Sequence, residues 1–92
     1  FVYANEADML NVALFGMTAK EWRNINKEKE GNIRDFATLE QLICLANLES
    51  INSVLVKEGD DQSTRLVKLN EIAKSQMKIL LDNKNVKLIN KT

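Results

Sequence analysis

Apolar positions recur at spacings of three and four residues, and the runs they form are broken at Gly16, Gly31 and Gly59, so the pattern predicts helices throughout the chain. The first is expected over about Glu6 to Phe15, with Met9, Leu10, Ala13 and Leu14 on its apolar face. Asn5 suits the N-cap, Asp8 sits in the positive first turn, and Gly16 suits the left-handed residue that ends a helix. Thr18 to Glu21 reads as a capping box, and Met17 and Trp22 flank it as a hydrophobic staple. A short second helix follows and ends near Asn26. Lys27 to Asn32 is polar and reads as a solvated loop.

The same signature recurs at Thr38, with Gln41 as its reciprocal partner and Ala37 facing Leu42. It opens a third helix running to about Lys57, with apolar residues at 39, 42, 43, 44, 45, 46, 48, 51, 54 and 55. Apolar positions on so many sides predict a central helix contacted by several neighbours. Gly59 stops it, and Asp60 or Asp61 caps a fourth. There Leu66, Leu69, Ile72, Ala73, Met77 and Leu80 form a clean stripe, opposite a solvent face of Glu71, Lys74, Lys78 and Asp82. In the remainder, Val86, Leu88 and Ile89 alternate enough to suggest a short strand or extended tail packed on the bundle, partly frayed. The fold class expected is all-α, one small bundle of about four helices.

Length and composition narrow the function more than the fold. Ninety-two residues form one domain, burying roughly 60–65% of the surface of the unfolded chain. The chain has no His and a single Cys, which excludes Ser-His and Cys-His nucleophiles and the usual transition-metal ligand sets. Cys44 falls between Ile43 and Leu45 and reads as a small buried thiol. The acid pairs Glu6/Asp8 and Asp60/Asp61 fall where helix starts favour acids, so no catalytic residue, cofactor or metal is expected. One cysteine and no long apolar run favour a cytoplasmic setting without signal peptide or membrane span. The opening Phe1-Val2-Tyr3 reads as a start inside a longer protein.

Thirteen Lys plus Arg balance thirteen Asp plus Glu, which argues against broad phosphate attraction. The balance is a cancellation between an acidic first half and a basic fourth helix and tail. Candidate contacts to a partner or to nucleic acid are Lys20, Trp22 and Arg23, where a large ring stands between cations, with Arg34, Lys74 and Lys78. Each has a plainer reading. Trp22 closes its staple over Met17 and enters the core, Arg34 clamps the loop to a carboxylate while Asp35 offers an alternative cap, and Lys74 and Lys78, like Arg65 and Lys68, belong to a solvated face.

Gly31-Asn32-Ile33-Arg34-Asp35-Phe36-Ala37-Thr38-Leu39-Glu40-Gln41-Leu42, followed by Asn47-Leu48-Glu49-Ser50-Ile51-Asn52, resembles the segment after the DNA-binding domain in bacterial and phage KilA-N-domain proteins. Tyr3 to Asn11, Leu14-Phe15-Gly16, Thr18-Ala19-Lys20 and Trp22-Arg23 resemble the stretch just before it. The likeness spans about residues 3 to 80 and fades in the last dozen. It implies a phage or prophage setting and an accessory C-terminal helical domain, with DNA bound by a domain upstream of Phe1. None of that upstream domain's own motif lies in this chain, so no DNA-contacting residue carries over. The apolar excess of the third helix and tail points to a homodimer or a protein partner as what this segment binds.

Overall fold

The computed structural model describes the backbone of residues 3–91 and the side chains of residues 3–82. Four α-helices and one 3-10 turn follow in order: α1 Glu6–Phe15, α2 Ala19–Ile25, the turn Ile33–Phe36, α3 Leu39–Lys57 and α4 Gln62–Lys91. No strand occurs among the described residues.

The helix starts are set by the side chains that stand before them. Asn5 accepts from the Asp8 N–H at 2.8 Å, and Thr18 and Glu21 satisfy each other's backbone N–H groups, as do Thr38 and Gln41. Asp61 caps α4, accepting from the Thr64 N–H at 2.9 Å. The 3-10 turn has its own capping box, in which Asn32 accepts from the Arg34 and Asp35 N–H groups and Asp35 returns a bond to the Asn32 N–H. Asp35 is thus the reciprocal partner of a cap and not the cap. It also crowds the turn: a Cβ on Gly31, at φ 99°, would stand 2.6 Å from the Asp35 Oδ2. Only glycine fits there without moving the carboxylate.

The core lies among α1, α3 and α4. Met9, Leu10 and Ala13 meet Cys44, Leu45 and Leu48 from α3 and Leu69 and Ala73 from α4, all buried. Leu66, Ile72, Met77 and Leu80 pack around them, so the stripe expected on the fourth helix is the one that faces inward. The Cys44 thiol is fully enclosed, and burial raises its pKa above the ordinary 9.0.

Two expectations change. Asn83 to Lys91 does not form a strand or extended tail: α4 continues through it as helix to Lys91. Nothing between Gly59 and Thr92 is a helix breaker, and three apolar residues are too short a run to separate a period of two from one of 3.6. At about 1.5 Å per residue α4 is roughly 45 Å long against under 30 Å for α3. Second, α3 is packed on one side only, by α1 and α4. It leaves Leu39, Leu42, Ile43, Val54 and Val56 exposed. Seven-residue α2 buries none of its residues and packs on the 3-10 turn, so no third long helix covers that side.

The result is a slab of 48 × 39 × 15 Å, about two helices thick. Its accessible surface is 6340 Å² for a mass of 10.5 kDa, where a compact monomer of that mass would expose about 5,400 Å². By length and composition α3 passes for a membrane-crossing helix, with a mean hydropathy of 1.2 over its best window. Here its inner side is the wall of a bundle, with Glu40 and Asn52 buried among its contacts.

Candidate interaction face

A polar cluster centred on buried Arg65 and Asn52 fixes how the three helices meet at one end of the bundle. Arg65, 8% exposed, donates from Nε to Asn52 Oδ1 at 2.9 Å, from Nη1 to the Asp60 carbonyl at 2.7 Å, and from Nη2 to both Glu6 oxygens at 2.8 and 2.9 Å. Asn52 completes the triangle by donating to Glu6 Oε1 at 2.8 Å. One side chain each from α1, α3 and α4 is therefore satisfied by the other two. Gln62 adds a bond to Glu6 and grips Tyr3 twice, accepting from its N–H at 2.6 Å and donating to its carbonyl at 3.3 Å. By their sequence positions alone Glu6 is a first-turn acid and Arg65 a solvated base. Nothing local marks them as a pair, because they are 59 positions apart.

The Glu6 carboxyl is held below its ordinary 4.5, first by the hydrogen bond from Asn52, then, against partial burial, by Gln62 and Arg65. A folded-state value below the unfolded one contributes stability that is complete above the unfolded value and disappears as pH falls through the folded one. Thermal unfolding followed from about pH 6 to pH 3 should therefore show Tm falling once pH drops below 4.5. Glu6→Gln should flatten that limb, and an unchanged limb would remove Glu6 as its source.

The second feature is a small lobe beside the bundle. Trp22 lies against Phe36 with ring centroids 5.3 Å apart and planes at 33°, and Lys29 places its Nζ 5.1 Å from the Phe36 ring centre. A shallow groove of about 190 Å³ runs beneath, lined by Phe15, Met17, Trp22, Ile33, Phe36, Ala37 and Gln41. Trp22 does share a wall with Met17, as the staple requires, but it stays half-buried and outside the main core. The second helix is too short to carry the ring inward. A more open groove of about 280 Å³ lies between α1 and α4, with Glu71 as the one ionisable group on its wall.

The third feature is the outer side of α3. Leu39 is 69% exposed, Leu42 40% and Ile43 41%, with Ala46 also open to solvent, and no charged residue lies on this side before Glu49. Exposed single leucines are ordinary; four neighbouring apolar positions on consecutive turns are a patch.

The candidate residues are not gathered into one site. Lys20 and Arg23 are exposed on α2 beside the half-buried Trp22, and Arg34 is exposed on the 3-10 turn. Arg34 makes no ion pair with a described carboxylate, so the expected clamp is absent among the described residues. Lys74 and Lys78 stand on the solvent side of α4, Lys74 only 3.7 Å from Glu71. Lys68, in contrast, is tied to Asp60 at 2.7 Å, which raises its pKa, the hydrogen bond being the larger cause. Among the described residues no three His, Cys, Asp or Glu side chains are grouped to hold a metal. Asn11, buried on α1, leaves its Oδ1 without a hydrogen-bond donor among them. Compared with known proteins, the chain matches no family model, no curated protein and no solved structure.

Proposed function

We propose that the chain is a non-catalytic helical interaction domain of a KilA-N-type DNA-binding protein of phage or prophage character, with DNA contacted by an upstream domain. The family part of this reading rests on the sequence resemblance around Gly31 to Asn52 and Tyr3 to Arg23. Its interaction part rests on one observation, the uncharged apolar outer side of α3 at Leu39, Leu42, Ile43 and Ala46. The hydrogen-bonded cluster of buried Asn52 and Arg65 with exposed Glu6 holds that face on a fixed bundle, so it is presented as a surface and not as a floppy helix.

The competing reading is direct nucleic-acid binding through Lys20, Trp22, Arg23, Lys74 and Lys78. Fluorescence anisotropy with a labelled duplex at low and physiological salt separates the two. The interaction-domain reading expects dissociation constants no tighter than about 10⁻⁵ M at either salt, since a chain of zero net charge releases few counterions. Submicromolar binding that weakens steeply with salt would overturn it.

A further inference from the structure

We propose that the lobe of α2 and the 3-10 turn is a hinged flap that swings off the three-helix bundle as one unit while the bundle stays folded. Its motion is independent of what the outer side of α3 binds.

Hydrogen bonds divide the chain into two bodies. α1, α3 and α4 are tied to one another by side chains: Arg65 with Glu6 and Asn52, Asn70 Nδ2 donating to the Ala13 carbonyl at 2.9 Å, and Asn47 Nδ2 donating to Gln76 Oε1 at 3.1 Å. Among the described residues no hydrogen bond or ion pair joins residues 18–37 to that bundle. Within the lobe the opposite holds. Thr18 and Glu21 cap α2 reciprocally, and Asn32 and Asp35 close the turn. Between them the Asn26 side chain donates to the Trp22 carbonyl at 2.9 Å, and the Asn26 carbonyl accepts from the Lys29 N–H at 3.1 Å. Trp22 against Phe36, with Lys29 over the same ring, clasps α2 to the turn. A segment cross-linked within and untied without moves as a body.

Apolar contact alone holds the flap down. Ile33 is its one buried side chain, 5% exposed, and stands outside the core cluster of the bundle. Trp22, Ile33 and Phe36 form the moving wall of the shallow groove, and Phe15 and Gln41 its fixed wall. Because α2 buries none of its residues, parting the two walls gives little apolar area back to water.

Two joints carry the swing. Gly16 ends α1 at φ 77° with nothing within 4 Å of where a Cβ would stand, so it has room to turn. Ala37, at φ −76° and ψ 149°, is the single extended residue between the turn and Thr38, the cap of α3. Met17, next to the first joint, and Ala37 line the same groove, so both joints lie along one hinge line. Opening bares Ile33 and the inner faces of Trp22 and Phe36 together, and closing hides them together.

Pulsed dipolar electron spin resonance on the 92-residue chain measures the swing. A spin label at Lys74→Cys is paired in turn with one at Asn24→Cys on α2, Arg34→Cys on the turn and Glu49→Cys on α3; all four positions are exposed, whereas Cys44 is enclosed and escapes labelling. The Asn24 and Arg34 pairs are expected to give distance distributions at least about twice as wide as the Glu49 pair. Ile33→Ala should widen both flap pairs further and raise acrylamide quenching of Trp22, the chain's only Trp, about twofold, while leaving the Glu49 pair unchanged. Equally narrow distributions in all three pairs would overturn the flap. So would a spread confined to the Asn24 pair, which would mean that α2 moves without the turn, or an Ile33→Ala variant that widens the Glu49 pair, which would place Ile33 in the main core.

Discussion

Leu48→Ala is expected to lower the unfolding free energy by about 3–5 kcal/mol, the cost of losing a fully enclosed leucine and keeping much of the cavity. Leu48 is 0% exposed, on the inner side of α3 among the side chains that α1 and α4 bring to the core. A chain of this length has roughly 5–14 kcal/mol of stability in all, so the variant should sit near the edge of unfolding at room temperature. Urea denaturation followed by circular dichroism reads this directly. Leu39→Ala on the same helix, at 69% exposed, removes an equal side chain and should change the midpoint by no more than about 0.5 kcal/mol at concentrations where the chain is monomeric. Equal effects from the two variants would mean that α3 is not packed on one side only.

Arg65→Ala is the second large effect, expected at about 2–4 kcal/mol. It removes bonds to Glu6, Asn52 and the Asp60 carbonyl at once and strips the packing of the arginine stem. The upper range for a broken buried pair is not reached because the Glu6 side chain is 46% exposed and can rehydrate when its partner goes. Arg65→Lys should recover only part of the loss, since an ammonium cannot serve three acceptors in the directions that the guanidinium does. Lys68→Ala, which breaks the exposed pair with Asp60, should cost far less than Arg65→Ala, because solvent screens that pair. If Arg65→Ala matched Lys68→Ala, the cluster would not be holding the helices together.

What could be read along the chain divides by distance. Helix starts at Asn5, Thr18 and Thr38 and the stop at Gly16 were legible because a cap and its partner lie within three residues. The inward stripe of α4 was legible because its period depends on one helix alone. The Arg65 cluster was not, because a glutamate at a helix start looks the same whether it faces solvent or an arginine from the far end of the chain. Nor was the bare side of α3. Amphipathicity reports how apolar a helix is and not how many neighbours it will have, and those depend on α2 staying beside the 3-10 turn.

The double grip of Gln62 on the Tyr3 peptide has a mechanical consequence. A backbone held through both its N–H and its carbonyl by the first residue of α4 cannot swivel there, and Glu6 anchors the next turn through Arg65. Tyr3 to Glu6 therefore acts as a stiff joint and not as a tether. A spin label carried at position 3 would turn with the bundle. Cutting the joint with Gln62→Ala would free the label's orientation while leaving the core of Met9, Leu48 and Leu69 in place.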